Sequence, residues 1–376
     1  MTAPVPNSVR TLAAQGALTA AALEDLIRDR ALPLVEPDSC AFVHRGAADA
    51  VALCHFGVGL PTDLSFRRLD GSDLWYLVLD LPRGARLEYK LEVTIGGRTS
   101  MVEDALNPKR ATNPYGANSV CEAFGYQMPE WARHDPDAPP GSLREASMKS
   151  LSLSRMTDVT LYLPAGFGTG QRHQLLVVHD GGDYLHYAAI GEVLDNLIHR
   201  GVIPPVVAAL THPENRLVEY ADDPRHAAFL AEELVPSLEA KLPLVGEPMG
   251  RCLMGASFGA VASLSSAARY PGYFGRLLLQ SGSFARTHGP CPRRQGALWH
   301  PAQAFVDRFT SSPSKVSERV FVSAGRYESL ICENRAFLPS LKGTGMDVRF
   351  VETLDGHNWE SWRDQLGTAL PSSLAT

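Results

Sequence analysis

The sequence predicts an α/β protein in two parts: a small antiparallel β-sandwich, then a doubly wound, mostly parallel sheet. Three observations predict it. From residue 38 to about 100, short alternating runs such as "CAFVHRG", "AVALCHF", "DLWYLVLDLP" and "RLEYKLEVTIGG" are bounded by Gly, Pro or Asp. That is the texture of turn-linked antiparallel strands with one buried face. Past residue 150 the alternation gives way to continuous apolar runs: "VTLYLP" (159–164), "LLVVH" (175–179), "PVVAALT" (205–211), "RCLMG" (251–255), "RLLLQ" (276–280), "RVFVSAG" (319–325) and "DVRFVE" (347–352). Strands apolar throughout are buried on both faces, as in a parallel sheet covered by helices. Helical stretches, among them "AAIGEVLDNLIHRG", "RHAAFLAEELVPSLEAKL" and "AVASLSSAARYP", separate most of those runs, completing the β-α-β rhythm.

The elements divide the chain as follows. Residues 1–37 form an N-terminal helical segment, with one or two amphipathic helices over 8–30; 38–130 form the β-sandwich; 131–150 are a linker; 151–376 form the α/β domain. The linker is read from the stretch 105–142, rich in Pro, Asn and Gly and short of periodic apolar positions. A length of 376 residues exceeds what one core ordinarily serves, in agreement with two domains.

Composition removes several function classes. The chain is 45% hydrophobic and 20% charged, as globular proteins are. A net charge of −6 provides no basic field for nucleic acid, and no stretch is long and apolar enough to span a bilayer. Neither nucleic acid nor a membrane is expected as a partner; a local arginine cluster can still hold an acidic small molecule. Six cysteines (Cys40, Cys54, Cys121, Cys252, Cys291, Cys332) are scattered without a C-x-x-C pair. Reduced thiols are therefore expected, with no zinc site and no disulfide framework. The N-terminal stretch is broken by Gln15, Gly16, Glu24 and Asp25 and does not read as a secretory signal, so a cytoplasmic location is expected.

The chemistry centres on "RCLMGASFGA", residues 251–260. A G-x-S-x-G match alone is weak in a chain with 32 glycines. Its context strengthens it. A nucleophile elbow needs a strand before the serine and a helix after it, with small neighbours because the serine backbone is strained. Gly255 and Gly259 provide the room, and the following helix offers oriented N–H groups to developing negative charge. The competing reading is a small residue at a crowded turn.

Ser257 needs a base, and His357 in "ETLDGHNWESWRDQL" lies just past the last predicted strand, with Gly356 before it to free the loop. The acid that holds the histidine tautomer is expected after the preceding strand, where "RVFVSAGRYESL" places Glu328. Asp355 is the competitor, disfavoured because a side chain two residues away rarely reaches the Nδ1 side of the ring. A dyad with no acid is the remaining alternative. The order Ser257, Glu328, His357 is that of an α/β-hydrolase triad. The oxyanion hole is expected from the Phe258 N–H together with "LLVVHDGGDYLHY", where Gly182, or Gly181 beside it, lets the backbone approach a substrate carbonyl. The alternative for that pair is an ordinary β-turn.

With these residues in place, "VVHDGGDYL", "GVIPPVVAALTHPENRLVEY", "FLAEELVPSLE", "LMGASFGAVASL", "YFGRLLLQSGSF" and "LDGHNWESWRDQL" together resemble the enterochelin esterases, within the esterase-D-like α/β-hydrolases. The N-terminal runs "DLWYLVLDLP", "LEYKLEV" and "VEDALNP" resemble that family's immunoglobulin-like domain. The resemblance covers nearly the whole chain past residue 38. It implies hydrolysis of ester bonds in a catecholate siderophore, ferric or iron-free. It also implies that Ser257 is the nucleophile, Glu328 the acid, His357 the base and Asp180-Gly181-Gly182 the oxyanion loop. Arg216 and Glu219 fall on a family motif beside the cleft; Arg216 is a substrate or loop-ordering residue, or else an ion-pair partner of Glu219. No cofactor or metal is implied, because iron would belong to the substrate.

The sequence departs from the family in two places. Ala260 follows Gly259 where a second glycine is usual, and the tryptophans expected after "QSGSF" are replaced by "ARTHGPCPRRQG". That loop carries Arg286, His288, Arg293 and Arg294 at a predicted strand's C-terminal side, where cations can meet an anionic ligand or simply be solvated. Two other functions stay open: an esterase of the same fold acting on another acyl, feruloyl or natural-product ester or thioester, and a non-catalytic ligand-binding protein on a hydrolase scaffold.

Overall fold

The computed structural model describes residues 8–291 and 294–374, so the expectation for Arg293 lies outside the described residues. The chain separates into two compact units, and each draws on more than one stretch of sequence. One comprises residues up to Gln127 with two short segments, Arg326–Ser329 and Leu354–Asn358; the other holds the rest from Met128.

The N-terminal unit begins with helices α1 (Val9–Ala14) and α2 (Ala20–Ile27), whose first-turn amides are capped by the Ser8 and Thr19 hydroxyls. The strands β1 (Leu34–Glu36), β2 (Ser39–Arg45), β3 (Ala50–Cys54), β4 (Arg67–Arg68), β5 (Leu74–Asp80), β6 (Arg86–Ile95), β7 (Arg98–Val102), β8 (Arg110–Asn113) and β9 (Gly116–Glu122) follow. They form two sheets, ordered β1-β2-β5-β4 and β3-β6-β9-β8, with β7 on β6. Alternation decides the packing. Cys40 and Phe42 of β2 meet Val51, Leu53, Leu87, Tyr89 and Leu91 of the opposite sheet, with Phe42 and Tyr89 edge to face at 5.0 Å. Ala41 and Val43, pointing the other way, pack on Val9 and Leu23 of the two helices. The result is the expected β-sandwich, with helices on one outer face.

The second unit contains an eight-stranded sheet: β10 (Ser142–Ser150), β11 (Arg155–Leu163), β12 (Gln174–Val178), β13 (Val206–Thr211), β14 (Arg251–Ala256), β15 (Arg276–Gln280), β16 (Arg319–Gly325) and β17 (Asp347–Thr353). Its order is β10-β11-β13-β12-β14-β15-β16-β17. The β10–β11 and β11–β13 pairs are antiparallel, and every other pair is parallel. The stretch 131–150 is therefore not simply a linker. Its last nine residues, "SLREASMKS", are an edge strand in register with all of β11. Most of these side chains are exposed, so the strand carries no buried-face pattern that a sequence reading can detect.

The helices are α3 (Gly181–Tyr187), α4 (Ile190–His199), α5 (Arg216–Glu219), α6 (Pro224–Ala228), α7 (Val235–Lys241), α8 (Phe258–Arg269), α9 (His300–Ser311), α10 (Ile331–Lys342) and α11 (Trp359–Leu374). They cover both faces. Leu175 and Val177 of β12 enter a core with residues of α7, α8, α9 and α10, whereas Leu176 and Val178 enter one with residues of α3, α4 and α11. The long helix expected over 225–242 widens to a π-turn at Phe229–Leu234, just before Pro236, which has no amide hydrogen for a regular α-helical bond. Strand β12 lies between β13 and β14, so the chain's direction of travel across the sheet reverses there. In an open α/β sheet that reversal opens a crevice at the carboxyl ends of the strands.

One further expectation fails. Cys291 and Cys332, 41 residues apart, are joined in a disulfide with Cα atoms 5.7 Å apart. The pairing is made by tertiary proximity, which spacing does not encode. Cys40, Cys54, Cys121 and Cys252 are free. Among the described residues, no helix is long and apolar enough to cross a membrane.

Candidate active site

The turn after β14 is an elbow. Ser257 has φ 58° and ψ −119°, a conformation a non-glycine residue holds only when the surroundings over-determine it. Neighbours do so: its amide donates to the Gln280 carbonyl at 2.9 Å, and its carbonyl accepts from Ser283 N at 3.1 Å. A Cβ on Gly255 would lie 2.4 Å from the carbonyl of Gly259, which explains the first glycine of the motif. Ala260 is fully buried. The Ser257 hydroxyl is 3.1 Å from that of Ser283, a partner with no signature in the sequence.

The turn after β12 faces the same reversal. Asp180 occupies the left-handed region at φ 56° and precedes the first turn of α3, which Gly181 and Gly182 form. First-turn amides have no intrahelical acceptor, so these groups are available to a ligand. The two glycines are not an ordinary β-turn, and they differ in role. A Cβ on Gly181 would come within 2.5 Å of Leu210 Cα, so this residue is small in order to pack on β13. Gly182 is half-buried, with the His212 ring 3.2 Å from where a Cβ would be.

Arg216 pairs with Asp180. Its Nε reaches both Asp180 oxygens at 2.8 and 2.9 Å, and Nη2 reaches the carbonyl of Ala256, just before Ser257, at 3.4 Å. Glu219 is taken by Arg155 at 2.9 Å and by the amides of Glu214 and Asn215. Arg216 therefore ties the turn after β12 to the elbow. The Asp180 carboxylate is engaged by that bond; burial holds its pKa above the usual carboxylate value, and Arg216 opposes the rise. Behind the loop sits a buried imidazole pair, His179 and His226, with Nε2 atoms 3.1 Å apart. Burial lowers them to about 3 and about 4 respectively, His179 being depressed further by its neighbour.

Glu328 and His357 lie three and four residues beyond β16 and β17. Strands β14 to β17 are parallel neighbours, so the turns that follow them leave from one edge of the sheet. His357 Nδ1 is 3.5 Å from Glu328 Oε2; the histidine is part-exposed and the carboxylate fully buried. Contacts of this kind are commonly long before substrate is bound. Asp355 is engaged elsewhere. It is buried and holds Arg86 Nη1 at 3.2 Å, Asn358 Nδ2 at 2.8 Å and the Gly356 amide at 2.6 Å. Burial pushes its pKa up to about 6 against the pull of Arg86.

The arginine-bearing loop is less basic than its composition suggests. Arg286 pairs with Asp307 at 3.2 Å, and Arg294 with the buried Glu333 at 2.9 Å. His288 is exposed. Trp299, from the same loop, packs on Phe258 with ring centroids 5.1 Å apart, and the Arg294 guanidinium lies over the Trp299 ring at 5.5 Å. The sequence reading, which looked for tryptophan nearer "QSGSF", missed this residue.

Residues 150–372 match the model of the Esterase family, described as "Putative esterase". The Iron(III) enterobactin esterase of Escherichia coli O6:H1 is 25% identical over 328 residues, spanning 80% of this chain and 80% of that one. Among solved structures, the ferric enterobactin esterase of Salmonella typhimurium aligns with a TM-score of 0.75 at 20% identity, covering 93% of this chain and 98% of the other. The enterobactin esterase of Shigella flexneri, solved in the presence of enterobactin, gives a TM-score of 0.71 at 22% identity, with 89% and 92% covered. At such identities the structural likeness speaks for the fold: an α/β-hydrolase sheet preceded by a β domain.

Proposed function

Because this chain belongs to the Esterase family, we propose that it is a serine carboxylic-ester hydrolase that cleaves catecholate-siderophore esters through an acyl-enzyme. The carrying observation is the strained elbow at Ser257, in chain order with a Glu328–His357 contact. His357 takes the Ser257 proton through Nε2 as the hydroxyl oxygen attacks the ester carbonyl, while Glu328 holds Nδ1–H and stabilises the imidazolium. The Phe258 and Gly182 amides hold the oxyanion. His357 then protonates the leaving alkoxide, and water attacks the acyl-enzyme with His357 again as base. The enterobactin named for the relatives and the aromatic surface of Trp299 beside Phe258 support an aromatic acyl group.

A second reading, an esterase for a simpler or feruloyl ester, is favoured by one observation. Arg286 and Arg294 are already engaged by Asp307 and Glu333, which weakens the case for an anionic iron complex. A fluorophosphonate probe is expected to label the wild type and not Ser257→Ala; absence of labelling and of p-nitrophenyl acetate turnover overturns the enzyme reading in favour of ligand binding. Turnover of ferric and iron-free tri-catecholate lactones beside p-nitrophenyl and feruloyl esters then decides the substrate, and activity on the simple esters alone removes the siderophore. For location we keep the cytoplasm, against which the Cys291–Cys332 bond counts, since disulfides are rare there.

A further inference from the structure

Resting on the triad reading above, we propose that Arg86 is a positioning residue for catalysis: with Asp355 it clamps the His357 loop, making the N-terminal β-sandwich the mount for the base and its acid. Arg86 belongs to β6 and is completely buried. Its backbone amide donates to the Leu354 carbonyl at 2.8 Å. Its guanidinium spans three side chains: Nη1 to Asp355 Oδ2 at 3.2 Å and to Asn358 Oδ1 at 3.1 Å, and Nη2 to Glu88 Oε1 at 3.0 Å. Asp355 is two residues before His357 and Asn358 one after, so the arginine grips the histidine from both sides. The loop also closes on itself, because Asn358 Nδ2 and the Gly356 amide both donate to Asp355 Oδ1.

The acid is tied into the same frame. Tyr327, beside Glu328, donates its amide to the Asp355 carbonyl at 3.0 Å and packs its ring into the sandwich core. A Cβ on Gly57 would sit 1.8 Å from the Tyr327 carbonyl oxygen, and one on Gly59 would sit 2.6 Å from that of Arg326. The turn at residues 57–59 is therefore pressed directly onto the backbone that carries the acid. These contacts tie the two short segments that carry His357 and Glu328 to strand β6 and to the turn at 57–59. A guanidinium suits the task because its planar fork serves several acceptors at fixed angles, which an ammonium does not.

The test measures kcat and KM for p-nitrophenyl acetate, the rate of fluorophosphonate labelling and the melting temperature in Arg86→Gln, Arg86→Lys, Asp355→Asn and Asn358→Ala, with His357→Ala and Glu328→Gln as references. A displacement of about 1 Å at a catalytic group can lower a rate by ~10²-fold. Arg86→Gln is thus expected to lose about that much in kcat and in labelling rate with KM nearly unchanged, and Arg86→Lys to recover only part of it. Combining Arg86→Gln with Asp355→Asn should add little, since both act on one contact. If Arg86→Gln does not fold, Asn358→Ala carries the test, because that side chain is only half-buried; it is expected to lose kcat about tenfold. Folded Arg86→Gln or Asn358→Ala with wild-type kcat, beside an inactive His357→Ala, overturns the clamp. An active His357→Ala overturns the triad reading itself.

Discussion

At the scale of single residues, the two carboxylates near His357 have divided their tasks by environment. Asp355 is held by Arg86 and Asn358, which leaves Glu328 as the carboxylate in contact with the imidazole. Replacing Glu328 with Gln keeps the shape and removes the charge that favours an imidazolium. We expect kcat to fall by about 10²–10⁴-fold, with the fold intact by circular dichroism; a loss below tenfold would return the acid role to another group. Arg216 shows the same logic at the turn after β12. Asp180 is buried at 4% exposure and would be left with an unpaired charge without it, a cost of about 1–3 kcal/mol or more.

At the scale of elements, the proposed site is built on turns after parallel strands, and each turn is fastened differently. The elbow after β14 is fixed by close packing between Gly255 and Gly259. The turn after β12 is fixed by the Asp180–Arg216 pair. The loop after β15 is fixed to the start of α10 by the Cys291–Cys332 bond and the Arg294–Glu333 pair. Cys332→Ser removes the covalent part of that last fastening, with a stability loss of about 2–4 kcal/mol. If the loop borders the acyl group, KM for bulky aromatic esters rises several-fold while p-nitrophenyl acetate turnover holds. Equal effects on both substrates would show that the loop serves stability alone.

At the scale of the whole molecule, acid should weaken the α/β unit through His179 and His226. Their folded pKa values, about 3 and about 4, are depressed below the unfolded value near 6.5. A group depressed on folding binds fewer protons in the native state, so its stabilisation is complete above the unfolded pKa and is lost as pH falls through the folded one. The melting temperature should therefore drop between pH about 6.5 and about 3, the span from the unfolded value to the lower folded one. His226→Gln should flatten that decline, as read by calorimetry at several pH values. An unchanged slope would assign the acid loss to other groups.

The sequence by itself determined the strand–helix rhythm of the α/β unit, the alternating strands of the sandwich, and Ser257, Glu328 and His357 as the residues to test. Those features are local, because burial on two faces, a strained elbow and a residue just past a strand all leave marks within a few positions. It did not reveal strand β10, whose polar edge residues carry no pattern. Nor did it reveal the partners that depend on distant chain segments meeting: Cys291 with Cys332, Arg216 with Asp180, Trp299 with Phe258, and Arg86 with Asp355 across 269 positions. Such pairings are decided only when packing removes the alternatives, because a buried charge or thiol takes the partner that the fold brings within reach. The loop after "QSGSF" shows both limits at once. Its arginines were visible as cations in the sequence, and only the tertiary structure showed that Asp307 and Glu333 had already answered two of them.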